Sequence, residues 1–344
     1  MKKTIAMLTA AALTLSLAAC SSAPASSADS AASSGSSAAS TAEQSAADSV
    51  RIAIVQQMDH ASLDQIRAAI EAELDAQAAE QGITVEYELF NGQNDTTTLN
   101  QIGTQVVGDG YDAIIPIATL AAQCMVNAAA ETETPVIYAA ISDPAAADLT
   151  DISYVTGTSD YLDTEFIMGM MFTANPDIQT VGLLYSNSEP NSEAAIAAAR
   201  AYLDEKGVAY VEATGNTNDE VLAAAVTLAD QADAVFTPTD NVIMAAAGAV
   251  SATFTEAGIP YYTGADSFVT AGALATCGVN YDELGAATAD LALEVLRTGT
   301  VPEYQIVPGG IVTVNTETAA ALGLDPHVFD SLGGTLVEVT TAAE

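Results

Sequence analysis

From position 50 onward, short apolar runs alternate with longer stretches in which apolar residues recur every three or four positions. The first pattern fits strands covered on both faces, and the second fits helices with one covered side. Val50, Ile52, Ala53, Ile54 and Val55 predict a strand over 50–55. Leu63, Ile66, Ile70 and Leu74 predict a helix over 61–81, which Gly82 stops. Strands over 83–89, 112–117 and 135–139 follow, with helices over 94–107 and 120–131 between them. The same order then returns: strands over 180–185, 208–212, 232–237 and 259–263, and helices over 189–206, 217–230 and 241–257. A helix over 281–298 and an extended segment over 304–314 come last.

Strand and helix in this alternation are the mark of parallel sheets flanked by helices. Its return in the second half, with NGQND at 91–95 answered by GNTND at 215–219, predicts an α/β protein of two similar lobes with a hinge between them. The expected shares are 50–157 plus 280–303 for the N-terminal lobe and 158–279 plus 304–344 for the C-terminal lobe. Chain crossings are expected near 156–159, 278–280 and 302–308. Several crossings make a hinge, and closure about a hinge sequesters a ligand.

The first 49 positions do not follow this pattern. Lys2 and Lys3 precede an apolar run over 5–17, which predicts an export signal over 1–19. The run ends in Leu17-Ala18-Ala19-Cys20, which resembles a bacterial lipobox and implies lipidation at Cys20. Positions 21–49 hold almost only Ser, Ala, Asp, Thr and Gly, too little apolar surface to order a chain, so 20–49 reads as a lipidated tether. The expected location is therefore extracytoplasmic, anchored to the cell membrane through that lipid.

Seven basic residues face 45 acidic ones, a net charge of −38. Such a chain cannot displace counterions from phosphates, which excludes nucleic acid as a partner. Beyond Cys20 only Cys124 and Cys277 remain, and with His60 and His327 they show no metal-ligand spacing. No metal and no cofactor is expected, and the two cysteines read as buried thiols rather than a disulfide.

In parallel α/β sheets, ligands bind beyond the C-terminal ends of strands. At those places stand Gln56 and His60, then Thr119 with Gln123 one turn on, then Ser142 and Asp143. The second half places Asn187, Ser188, Asn191, Asp240 and Asp266 equivalently. Neutral donors and acceptors with a few carboxylates suit a small polar or zwitterionic ligand. Thr119 at a helix start would donate to a carboxylate, and Asp143 or Asp266 would accept from an amine. The same residue types also serve as helix caps and turn formers, so each has a purely backbone explanation. Tyr138, Tyr161 and Tyr262 are candidates for an aromatic wall.

IVQQMDHASLD (54–64), NGQNDTTTLN (91–100), IATLAAQ (117–123), ISDP, VTGTSD, LLYSNSEPNS (183–192), TPTDN (237–241) and ADSFVTAGALA (265–275) together resemble the tryptophan/tyrosine-type substrate-binding proteins of ABC importers. The resemblance implies a type I periplasmic-binding fold and delivery of an aromatic amino acid to an ABC permease and its ATPase. It implies ligand-facing roles for the eleven strand-end residues above and for Ser159 and Asp160 in VTGTSD, and a monomer is expected. Leu120 stands where the family often has a proline, and no proline follows His60. A sensory lipoprotein with the same ligand is the first alternative. A surface enzyme on the same fold is the weaker one, since there is no Gly-x-Ser-x-Gly elbow, HExxH or phosphate-binding glycine loop.

Overall fold

The computed structural model describes residues 49–342. The expected export signal, Cys20 and nearly all of the tether lie outside the described residues. The first half runs β1 (Ser49–Gln56), α1 (Ala61–Gln81), β2 (Thr84–Asn91), α2 (Thr96–Asp109), β3 (Ala113–Ile117), α3 (Thr119–Ala129), β4 (Val136–Tyr138) and β5 (Val155–Ser159). After α4 (Thr164–Ala174) come β6 (Thr180–Tyr185), α5 (Pro190–Lys206), β7 (Ala209–Thr214), α6 (Asn218–Ala229), β8 (Ala234–Thr237), α7 (Asn241–Met244), α8 (Ala247–Ala257), β9 (Tyr261–Thr263), α9 (Asp266–Thr270) and β10 (Ala275–Gly278). The chain ends with α10 (Tyr281–Thr298), β11 (Gln305–Ile306), β12 (Ile311–Asn315), α11 (Thr316–Ala321), a 3-10 turn and β13 (Thr335–Val339).

Two sheets result. The first has the order β11-β5-β4-β3-β1-β2, and the second β13-β12-β10-β9-β8-β6-β7. Within each, the first five strands of a half take the order 2-1-3-4-5, so the duplication read in the sequence is a duplication of topology. All pairings are parallel except β10 with β12. The first sheet's strands are apolar on both faces because helices cover both. Ile52, Ile54 and Ile115 pack under α1 and α10, and Ala53, Val55 and Ile114 under α2 and α3. The helix α1 buries Leu63, Ile66, Ile70 and Leu74, the residues whose spacing predicts it. Gly82 ends it at φ 67°, a conformation glycine adopts without a Cβ penalty. Against it lies α10, and the contact requires Gly285, where a Cβ would stand 2.7 Å from the Ile66 carbonyl oxygen.

Three expectations change. The expected helix over 241–257 is broken at Ala245 and Ala246 into α7 and α8. The extended segment over 304–314 divides between the sheets: Gln305 and Ile306 pair with Thr158 and Ser159 of β5, while β12 pairs with β10. Pro308, Gly309 and Gly310 interrupt it, since proline has no N–H to donate and Gly310 sits at φ 94°. The strand β5 belongs wholly to the first sheet, so residues 158–159 and 305–306 sit with the first lobe rather than the second. The chain therefore passes between the sheets at 160–163, 279–280 and 307–310.

Candidate functional site

The order 2-1-3-4-5 places the switch point of each sheet beside its first and third strands, and ligand-binding loops gather beyond such points. The loops after β1 and β3 bring His60, Ser62, Ala118 and Thr119 to one wall of a cavity. Those after β6 and β8 bring Asn191, Thr239, Asp240 and Asn241 to the other. Ser142 enters from the loop after β4, Asp160 and Tyr281 enter beside the chain crossings, and Leu63, Ile66, Met244 and Phe268 add apolar surface. The enclosed volume is about 20 Å³, close to what one water needs. Small-molecule sites measure roughly 300–1,000 Å³, so a solute enters only when the lobes part.

The walls are joined by direct hydrogen bonds. Gln57 Nε2 donates to Glu189 Oε1 at 2.9 Å, and Ser142 Oγ lies 3.0 Å from Thr239 Oγ1. His60 Nε2 lies 3.0 Å from Asn241 Oδ1, and the hydroxyls of Ser62 and Ser267 are in contact. Asp160 accepts from Ser142 Oγ at 2.9 Å and from the Tyr281 hydroxyl at 3.2 Å. Burial pushes its carboxyl up to about 6 against those two bonds. Burial also lowers His60, which the Asn241 bond and the charges of Asp64 and Asp59 offset only in part.

Asp240 is the hub of the second wall. It accepts from Ser186 N and Ser192 Oγ at 2.7 Å each and from Ile243 N at 3.0 Å, the last as the cap of α7. Glu189 beside it has fewer donors and is pushed up to about 8, first by burial and then by the charge of Asp240. Burial raises Asp240 as well, against the bonds that it accepts.

The first wall carries strain instead. Ala118, directly before α3, has φ 76° and ψ 163°, a region that belongs to glycine, and Ala140 has φ 58°. Ala118 is held by Ala118 N donating to Ala139 O at 3.1 Å and by Ala122 N donating back to its own carbonyl at 3.0 Å. Three polar atoms at or beside the cavity are buried without a partner: His60 Nδ1, Asn191 Oδ1 and Asp266 Oδ1. Buried polar atoms are rarely left so.

Of the thirteen residues read from the sequence, His60, Thr119, Ser142, Asp160, Asn191 and Asp240 line the cavity. Asp266 stands next to it, between the lining residues Ala265 and Phe268. The others lie elsewhere. Gln56 spends its amide on Met58 O, Asp59 and Asp64 and its oxygen on Arg67. Gln123 donates to Ala147 O at 3.1 Å, and Ser159 Oγ to Ser142 O at 3.5 Å. Asp143 caps a turn through Ala146 N at 2.9 Å and lines a groove that adjoins the cavity at Ser142, Asn191 and Thr239. Asn187 and Ser188 are exposed on the outer side of α5.

None of the three tyrosines lines the cavity: Tyr138 and Tyr262 are core residues, and Tyr161 is 59 % exposed. Sequence reading missed Gln57, Glu189, Asn241, Tyr281 and Phe268. Each adjoins or lies within a quoted motif, except Tyr281 at the start of α10, but which neighbour turns inward depends on the pleat of a strand end. Cys124 and Cys277 are free and buried.

The model of the family "ABC transporter substrate binding protein" matches residues 51–324. The chain belongs to this family. A curated relative, the tyrosine-binding protein of Clostridioides difficile strain R20291, is 31 % identical over 289 residues, covering 82 % of this chain and 83 % of the relative. A Streptococcus pneumoniae ABC domain solved in complex with L-Trp is 27 % identical with a TM-score of 0.77, covering 84 % of this chain and all of the domain. A ligand-free, open substrate-binding protein with adhesive properties from Clostridium difficile is 29 % identical over 85 % of this chain and all of its own, with a TM-score of 0.64. As a two-lobed type I periplasmic-binding protein, this chain binds a small solute for an ABC transporter on the extracytoplasmic side. No helix among the described residues is long and apolar enough to cross a membrane.

Proposed function

We propose that this binding protein captures an aromatic amino acid between its lobes and passes it to an ABC permease and its ATPase. The observation that carries the reading is the convergence of His60, Thr119, Asp160 and Asp240 from both halves on one interlobe cavity with an apolar side of Leu63, Ile66, Met244 and Phe268. Asp160 and Asp266 are the acceptors for the amine. The start of α3 at Thr119 receives the carboxylate, since a helix N-terminus favours an anion. The ligands of the relatives, tyrosine and tryptophan, support the aromatic part.

In this reading the protein is a carrier and not an enzyme. It acts as a monomer, and lipid on Cys20 tethers it to the membrane after removal of positions 1–19. A thermal-shift screen of amino acids, nucleosides and sugars tests the cargo. Stabilisation by tyrosine, tryptophan or phenylalanine is expected. Stabilisation by a sugar or nucleoside alone would replace the cargo and leave the family role in place.

A further inference from the structure

Four buried side chains form a chain of contacts across the cleft. Gln57 and His60 stand on the first lobe, Glu189 and Asn241 on the second, and none is more than 9 % exposed. Gln57 Nε2 donates to Glu189 Oε1 at 2.9 Å, the amide of Asn241 lies 2.6 Å from Glu189 Oε2, and the other amide atom of Asn241 lies 3.0 Å from His60 Nε2. Gln57 is itself fixed, donating to Asn94 Oδ1 at 2.9 Å and accepting from Leu120 N at 3.0 Å. The starts of α2 and α3 in one lobe are thereby tied to those of α5 and α7 in the other.

One member of this latch is a carboxyl with no cation. From the first lobe Glu189 meets Gln57 and, through Asn241, a neutral His60 on which Asp59 and Asp64 act. From the second it meets Asn241 and the acidic Asp240. Farther along α5 stand Glu193 and Arg200, and Arg200 is held by Glu212 at 2.7 Å. A carboxylate enclosed here would have neither water nor a countercharge, whereas the neutral acid needs neither. The 2.6 Å contact agrees: a hydroxyl donor sits about 2.5–3.0 Å from its acceptor, and the two ends of an Asn amide are exchangeable.

We infer that closing the lobes carries a proton into the cleft on Glu189, so that capture of the solute is coupled to proton uptake. In the open form this carboxyl meets water and titrates closer to the ordinary range, raised there chiefly by Asp240 of the same lobe. In the closed form burial and then Asp240 push it up to about 8. The closed form thus binds more protons between these values, so acid favours closure and the advantage is lost as pH rises through about 8. Two other groups act lower down. His60, lowered by burial, sheds a proton on closing, and Asp160, pushed up to about 6, gains one. Near pH 7.5 both contribute little and Glu189 is the group that changes.

The test uses L-tyrosine as probe, and to that extent it rests on the cargo proposed above. Calorimetric titration at pH 7.5, in buffers of different ionisation enthalpy, should show about half to one proton taken up per tyrosine bound. Glu189→Gln keeps an uncharged side chain of the same shape; it should bind tyrosine with no proton exchange, and its affinity should no longer fall between pH 7 and 8.5. Binding without uptake by the unaltered protein, or unchanged uptake in Glu189→Gln, would overturn the inference. If tyrosine does not bind at any pH, the cargo is wrong and the latch is read without ligand. Small-angle scattering should then show the unaltered protein compacting from pH 8.5 to 7 and Glu189→Gln indifferent, and a radius independent of pH in the unaltered protein would refute the coupling.

Discussion

The two walls of the cleft are built from the same βα order yet differ in what they hold in reserve. The first-lobe wall offers neutral groups, His60, Thr119 and the neighbouring Gln57, on a backbone strained at Ala118 and Ala140. The second-lobe wall is relaxed in backbone and acidic in side chain, with Asp240 beside Glu189, whose carboxyl is pushed up to about 8. No lysine or arginine lines the cavity. Two of the described basic residues form ion pairs outside it, Arg67 with Glu71 and Arg200 with Glu212. Closure therefore joins amide and hydroxyl groups to acids rather than cation to anion. Neutral hydrogen bonds contribute only about 0.5–1.5 kcal/mol each, so a cleft joined this way can open again.

The largest break in this comparison is Asp240→Ala. It strands the donors of Ser186, Ser192 and Ile243 and should cost about 2–4 kcal/mol of stability in urea unfolding. An unchanged midpoint would mean that water replaces the carboxylate freely. Next, Asp160→Asn should weaken tyrosine binding by about 1.5–3 kcal/mol, the range for hydrogen bonds to charged groups, without loss of thermal stability. The same affinity would remove Asp160 from the amine site.

On the first wall, Ala118→Gly should stabilise the protein by about 1 kcal/mol, because a glycine accepts that backbone. Destabilisation would show the strain to be absent. The outer surface supplies the smallest effect. Arg200→Ala, which removes a half-exposed ion pair, should change stability by less than about 1 kcal/mol.

The acids of the second wall and the crossing also set a pH dependence. Glu189 and Asp160 are both raised in the folded protein, to about 8 and about 6. The folded state then binds more protons than the unfolded chain above the ordinary carboxyl range. Stability should fall as pH rises from about 5 to 8, and Glu189→Gln should flatten the upper part of that fall. Thermal unfolding across the range reads it directly, and an identical slope in the variant would contradict it.

Long elements were legible because periodicity and stop signals agree in them. The helix from Ala61 has four apolar residues on one face and Gly82 at its end, and the helix from Tyr281 is bounded by Asn280 and Gly299. What was not legible depends on distance. Nothing in 304–314 says that Gln305 pairs with Thr158 while Val312 pairs with Cys277. In the same way, strand ends rich in Asn, Asp, Ser and Thr mark where the cleft is. They do not tell a cap such as Asp143 from a wall residue such as Asp160, for both sit in loops and only the second lines the cavity.

The chain has no tryptophan, so the emission of added L-tryptophan reports its own surroundings without protein background. If the interlobe cavity takes an aromatic amino acid, titrating the protein into L-tryptophan should shift the emission to the blue saturably. L-tyrosine should reverse the shift, and Asp160→Asn should weaken it. An emission spectrum that stays that of free tryptophan, together with no stabilisation of the protein by L-tyrosine, would contradict the claim that this cleft is an aromatic amino-acid site.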